Sequence, residues 1–105
     1  MNRLADDLLH GAALETVLAA LPGWTHHESS LAIYRDFGFR DGAGAVLFVA
    51  FFTAVVRLND FDLDFVFDVA GARVGVGLGA WRVAGITPRV ALLAKVADEL
   101  ARAGS

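Results

Sequence analysis

Cysteine is absent from the sequence, which excludes disulfide bonds and thiol chemistry. Basic residues are scarce, because nine Lys and Arg are outnumbered by twelve Asp and Glu, for a formal net charge of -3. Nucleic-acid-binding domains usually carry a basic patch, so no nucleic-acid partner is expected. Histidine occurs only at His10, His26 and His27, and the second half of the chain therefore offers none for acid–base chemistry.

The sequence also lacks a recognisable secretory signal and a membrane-spanning run. Asp6 and Asp7 precede any apolar run at the N-terminus, unlike the basic start of a signal peptide. The nearly continuous apolar stretch Ala43 to Val56 is flanked by Asp41 and Arg57, and it is shorter than the roughly 20 residues that cross a bilayer. We expect a buried helix there, no membrane contact and, by default, a cytoplasmic location.

Residues 59–81 predict a β-hairpin, and the rest of the fold is interpreted around it. Apolar side chains alternate mainly with acidic ones from Phe61 to Val69, and valine or leucine alternates with glycine from Val74 to Gly79. This period of two is typical of strands with one buried face and one polar face. Glycines inside a strand often mark the close approach of a ligand or of another backbone.

A predicted turn at Ala70-Gly71 sets the register of this hairpin. Apolar residues then meet apolar residues on the face towards the helices, whereas acidic residues mostly meet glycines on the other face. The predicted pairs are Phe67 with Val74, Phe65 with Val76, Leu63 with Leu78, Asp68 with Arg73, Val66 with Gly75, Asp64 with Gly77, Asp62 with Gly79 and Asp60 with Trp81. The pattern predicts a ligand or partner face formed by Asp60, Asp62, Asp64, Gly75, Gly77, Gly79 and Trp81.

Patterns elsewhere complete the order α-β-β-α-β-β-α in a single domain that covers all 105 residues. A first helix ends at Pro22-Gly23, a long apolar helix runs from about Asp41 to Leu58, and Thr87-Pro88 is a typical start for the last helix. Strands at Trp24–His27 and Leu31–Phe39 form the first hairpin. The predicted fold class is α+β, with a four-stranded antiparallel sheet and helices packed on one face.

The element order, Pro22-Gly23-Trp24, Tyr34-Arg35-x-Phe37-x-Phe39 and Gly85-Ile86-Thr87 together resemble the pterin-4a-carbinolamine dehydratase family, over nearly the whole chain from about Leu14. The resemblance implies a lyase fold whose members dehydrate 4a-hydroxytetrahydropterin without metal or cofactor. Some members also act as dimerisation partners of a homeodomain transcription factor. A divergent branch is associated with Rubisco assembly in carboxysomes.

The family's catalytic signature is absent from the matching positions. That signature is His-His-Pro after the long helix, a third histidine near the end of the last strand, and an aspartate opening the final helix. The resemblance aligns these positions with Asn59-Asp60-Phe61, Trp81 and Val90. His26-His27 precede the long helix, so a surface strand pair is the simpler interpretation and a relocated site is the alternative.

Two functions therefore stay open. The first is a non-catalytic interaction or assembly module, comparable to a Rubisco assembly factor or a dimerisation cofactor. It would bind a partner with a basic surface through the acidic, glycine-lined face. It would also form a homo-oligomer, expected to be a dimer, because one small sheet can cover only one side of the apolar helix Gly42 to Leu58.

The alternative is an active 4a-hydroxytetrahydrobiopterin dehydratase, with a pterin ligand stacked on Trp81 and Asp60 acting on its protons. We favour the non-catalytic hypothesis, because an exposed aspartate titrates near about pH 4 and is a poor acid at neutral pH. No cofactor is expected in either case. No metal is predicted, because Asp62, Asp64 and Asp68 at alternate strand positions form a poor cage.

Overall fold

The computed structural model describes residues 8–26, 32–58, 64–79 and 85–104. Its elements are α1 (Gly11–Ala19), β1 (Thr25–His26), β2 (Ile33–Gly38), α2 (Gly42–Leu58), β3 (Asp64–Ala70), β4 (Arg73–Gly79) and α3 (Pro88–Gly104). This order confirms the predicted α-β-β-α-β-β-α arrangement and the α+β class. None of the helices in these ranges is long and apolar enough to cross a membrane.

The four strands form one antiparallel sheet in the order β1-β2-β4-β3. The two hairpins meet where β2 pairs with β4, which places Ile33 opposite Leu78 and Phe37 opposite Val74. All four of these side chains are buried. Alternation along each strand therefore produces one apolar sheet face, which the helices cover.

Helices α2 and α3 cover that face because each carries apolar residues three or four positions apart. α2 buries Ala45, Phe48, Phe52 and Val56, and α3 buries Val90, Ala91, Leu93, Ala94, Ala97 and Ala101. The ring of Phe52 has no exposed surface, and its centroid lies 5.9 Å from that of Phe65 and 5.8 Å from that of Phe67. The core thus lies between the sheet and these two helices.

The β3–β4 hairpin has the predicted faces, but its register differs from the predicted one by two residues. The observed pairs are Asp64 with Gly79, Phe65 with Leu78, Val66 with Gly77, Phe67 with Val76, Asp68 with Gly75, Val69 with Val74 and Ala70 with Arg73. The prediction that Asp64 lies opposite Gly77 is therefore wrong, as are the other predicted pairs within these strands. Because side chains alternate along a strand, a shift of two leaves each residue on its predicted face.

The turn explains the corrected register. The two residues between the strands are Gly71 and Ala72, not Ala70 and Gly71, and Gly71 has a φ of +62°. Hairpin turns of types I′ and II′ both need a positive φ at their first loop position. Glycine adopts that conformation far more easily than alanine does, so the turn forms one residue later than predicted.

Candidate functional site

The sheet face opposite the helices is open. It carries two rows of residues that cross β2, β4 and β3: one is Tyr34–Gly77–Val66 and the other is Asp36–Gly75–Asp68. Tyr34 and Val66 are 44% and 63% exposed. Both rows line a cavity of about 590 Å³, so this face is the concave surface that could receive a ligand or partner.

Two glycines of β4 form the floor of this cavity. A Cβ atom placed on Gly77 would lie 2.9 Å from Cε1 of Tyr34, and one on Gly75 would lie 2.9 Å from Oδ1 of Asp36. Both distances are shorter than real Cβ contacts. Glycine at these positions therefore lets a tyrosine ring and a carboxylate lie directly against the backbone.

Asp36 and Asp68 lie on the two sides of Gly75 in the sheet, and the Asp36 carboxylate leans over Gly75. Their Cα atoms are about 10 Å apart, because two strand spacings separate them. Both residues are exposed, and within the described part of the chain neither side chain has a hydrogen-bonding or ionic partner. Arg73 lies on the same face, opposite Gly38, and it too has no such partner among the described residues.

The predicted ligand or partner face is only partly described. Gly75, Gly77 and Gly79 occupy alternate positions of β4, and the backbone of Asp64 pairs with Gly79. The other residues of this face, Asp60, Asp62 and Trp81, lie outside the described residues, and so does Asn59, which was predicted only as a position aligned with the catalytic signature. The pairing of Asp60 with Trp81 was deduced from the register that the structure corrects, so that deduction no longer holds.

Sequence reasoning missed Tyr34 and Asp36. Tyr34 and Asp36 occupy alternate positions of β2, but this alternation does not indicate which strands are neighbours in the sheet. The pairing of β2 with β4 places Tyr34 opposite Gly77 and Asp36 opposite Gly75. A signal was present in the sequence, because glycines at alternate positions of a strand leave space for large side chains on both neighbouring strands.

Val90 is the one described residue among the positions aligned with the family's catalytic signature. Its side chain is fully buried in the inner face of α3. Its backbone N–H donates a hydrogen bond of 3.3 Å to Oγ1 of Thr87, so Thr87 caps α3 in the manner predicted. At this position the chain therefore has core packing where the family has a carboxylate.

The described histidines lie in the N-terminal part of the fold. His10 is the residue before α1, and its side chain makes no capping hydrogen bond. His26 belongs to the edge strand β1 and pairs with Ile33. His27 lies outside the described residues. Among those described, no three His, Cys, Asp or Glu side chains come together in a way that could hold a metal ion.

A second polar cluster joins α3, β2 and the turn between α1 and β1. Oδ1 of Asp98 accepts hydrogen bonds of 3.0 Å from Nε1 of Trp24 and from Nη1 of Arg35. Nη1 of Arg35 also donates to the carbonyl oxygen of Pro22 at 3.1 Å, and its guanidinium lies 4.9 Å from the centroid of Phe37. Asp98 and Arg35 thus have their hydrogen-bonding partners within the cluster, which indicates a structural role.

The outer side of α2 is apolar and open. Val46, Leu47, Phe51 and Leu58 are 62%, 54%, 56% and 86% exposed. Arg57 is the only charged residue of this 17-residue helix. Leu47, Phe51 and Leu58 are four and seven residues apart, which places them along one side of the helix. Contiguous exposed apolar surface of this kind is typical of an interaction site.

Comparison with solved structures finds a similar fold, whereas the comparisons by sequence find no match. No family model matches the sequence, and no curated protein matches it. The fold is similar to the crystal structure of a transcriptional coactivator/pterin dehydratase from Brucella melitensis, with a TM-score of 0.81 and 26% sequence identity. That match covers 90% of this chain and 99% of the other. The resemblance that was predicted from the sequence motifs is thereby confirmed.

Proposed function

We propose that this chain is a divergent, pterin-4a-carbinolamine dehydratase-like protein that lacks the catalytic His-His-Pro and acts as a non-catalytic interaction or assembly module. The observation that carries the proposal is the position of its histidines. All three lie at or before His27, whereas the family signature places three histidines after the long helix. The buried Val90, at the position of the family's aspartate, supports the same conclusion.

The chemistry of the reaction explains why these losses matter. Dehydration of a carbinolamine needs an acid for the departing hydroxyl and a base for a ring proton, both available near neutral pH. Histidine fills both roles because its pKa lies close to neutrality. Asn59 does not titrate and Trp81 exchanges no proton. The pKa of Asp60 would have to rise by about three units to reach neutral pH, which costs about 4 kcal/mol.

The proposed module is a homo-oligomer, and a dimer is the simplest form. The exposed stripe on α2, defined as Val46, Leu47, Phe51 and Leu58, supports this assembly. Full burial of one large apolar side chain contributes about 1.5–3 kcal/mol. A second copy that covers the stripe removes several such side chains, each now more than half exposed, from water, and this burial favours dimerisation.

The alternative function, an active dehydratase, is supported by the likeness to a pterin dehydratase. A stopped-flow dehydration assay on synthetic carbinolamine distinguishes the two. We expect the purified protein to leave the rate at its value in buffer, and Asp60→Asn to behave in the same way. A rate increase typical of an enzyme that is abolished by Asp60→Asn would establish the alternative.

A further inference from the structure

We propose that the open sheet face binds an extended, arginine-bearing segment of a partner protein. This inference rests on the proposed interaction function and assigns a ligand chemistry to one surface. The acidic row is Asp36–Gly75–Asp68, and the apolar row is Tyr34–Gly77–Val66. The two rows are neighbours on the same face, and the cavity of about 590 Å³ spans both.

Charge complementarity favours a cation over the acidic row. Asp36 and Asp68 lack ionic partners within the described residues. The Asp36 carboxylate leans over Gly75, and Cβ of Asp68 lies 3.6 Å from the point where a Cβ of Gly75 would be. Both aspartates therefore border the backbone of Gly75, and one carboxylate lies directly over it. A cation placed there is attracted by both, and no side chain of β4 blocks its approach.

Geometry favours arginine over lysine. A guanidinium is planar and presents five N–H donors, so it can donate to a carboxylate on each side at once, whereas an ammonium is a compact point charge. The face of the guanidinium can also lie against an aromatic ring, and Tyr34 occupies the neighbouring row. Charge-assisted hydrogen bonds of this kind are the strong ones in protein recognition.

The apolar row accommodates the aliphatic part of the same side chain. Successive rows on one face are two residues apart along a strand, which is about 7 Å. An extended arginine side chain covers about that distance only over its whole length, from Cα to the terminal nitrogens, so its methylenes can contact Tyr34 and Val66 above Gly77 while its guanidinium reaches the acidic row. The rows thus match the two halves of an arginine side chain, with the stem over the apolar row and the head over the acidic row.

Arg73 limits the direction from which the ligand approaches. It lies in the next row beyond Asp36 and Asp68, opposite Gly38 and Ala70. Its positive charge repels a second cation at that end of the face. The arginine of the partner therefore enters from the Tyr34 side, and removal of Arg73 should strengthen binding.

The experiment titrates three short glycine-flanked peptides into the ¹⁵N-labelled full chain. They differ only in a central arginine, lysine or citrulline, the last being neutral but similar in shape to arginine. We expect the arginine peptide to shift the amide signals of Gly75 and Gly77, the lysine peptide to bind more weakly and the citrulline peptide not to bind. Equal binding of all three, or shifts confined to other surfaces, would overturn the inference.

Variants localise the binding. Asp36→Asn with Asp68→Asn should weaken the arginine peptide by about tenfold or more, since two charge-assisted hydrogen bonds are lost. Glu15→Gln with Glu99→Gln removes the same charge from exposed helical positions and should change the affinity less than twofold. Arg73→Gln should tighten binding. Equal weakening by the two double variants would show non-specific attraction and contradict the proposed site.

The result of the peptide titration can be distinguished from the result of the dehydration assay that tests the proposed function. A protein that dehydrates carbinolamine but binds the arginine peptide on this face would refute the non-catalytic function and leave the site standing. An inactive, oligomeric protein that does not bind the arginine peptide would refute the proposed binding site and leave the proposed function standing.

Discussion

Helices α2 and α3 have the same length, 17 residues each, and pack side by side on one sheet face, yet their outer sides differ. The outer side of α3 carries Lys95, Glu99 and Arg102, and Arg102 donates to Glu99 at 2.7 Å. The outer side of α2 carries the apolar stripe and one charge, Arg57. The inner sides of the two helices, in contrast, are similarly apolar.

The fold depends on the inner sides of the two helices and not on their outer sides. Burial of the inner sides explains why both helices form and where they lie. The charged side chains on the outer side of α3 stay hydrated, so water provides their hydrogen bonds. Among the residues that the structure describes, no packing contact requires Leu47 or Phe51 to be apolar. Their apolar character therefore indicates a surface that another molecule covers.

The largest effect is expected inside α2. Phe52→Ala removes a ring with no exposed surface, in contact with Phe48, Phe65 and Phe67. We expect it to lower the free energy of unfolding by about 3–5 kcal/mol, measured by urea denaturation. The neighbouring Phe51→Ala, measured at concentrations where the protein is monomeric, should cost less than about 1 kcal/mol. Equal losses would contradict the distinction between the inner and outer sides of α2.

A smaller effect is expected where α3 is tied to the sheet. Asp98→Ala leaves the donors of Trp24 and Arg35 without their shared acceptor. The side chains of Arg35 and Asp98 are 32% and 18% exposed, so water replaces part of the interaction. We expect a loss of about 2 kcal/mol in unfolding free energy.

Glu99→Ala is the matched control for Asp98→Ala. Its ion pair with Arg102 is mostly exposed, and such pairs contribute about 0.5 kcal/mol or less. If Glu99→Ala proved as costly as Asp98→Ala, the cluster around Arg35 would not be what ties α3 to the sheet.

The smallest effects concern the caps that begin the two helices. Oδ1 of Asp41 accepts a hydrogen bond of 2.9 Å from the backbone N–H of Gly44 at the start of α2, and Thr87 does the same for α3 at 3.3 Å. Asp41→Ala should cost about 1 kcal/mol by chemical denaturation, and Asp41→Ser should restore most of it. No rescue by serine would show that the carboxylate charge matters and the cap does not.

Much of this fold could be predicted from periodicity. The spacing of Val90, Leu93, Ala94, Ala97 and Leu100 predicts the inner stripe of the last helix. The first four are fully buried in α3, and Leu100 is partly buried. The faces of β3 and β4 were also predicted correctly, because alternation fixes the side on which each residue lies. The order of the elements followed from the turn and cap residues between them.

The register and the strand order could not be obtained in this way. A shift of two residues preserves every face, so the apolar pattern does not distinguish the two registers, and the φ of Gly71 decides between them. No local pattern places β2 beside β4, and for that reason Tyr34 and Asp36 were missing from the predicted face. Long-range pairing is a property of the whole sheet and not of any one strand.

The most direct test of the central claim is the mass of the protein in solution, measured by sedimentation velocity at micromolar concentration. Leu47 on α2 and Leu92 on α3 are 54% and 51% exposed, so Leu47→Glu and Leu92→Glu are a matched pair. We predict a wild-type oligomer, a monomer for Leu47→Glu and an unchanged oligomer for Leu92→Glu, with native circular dichroism in all three. A monomeric wild type, or an oligomer that Leu47→Glu does not dissociate, would contradict the account.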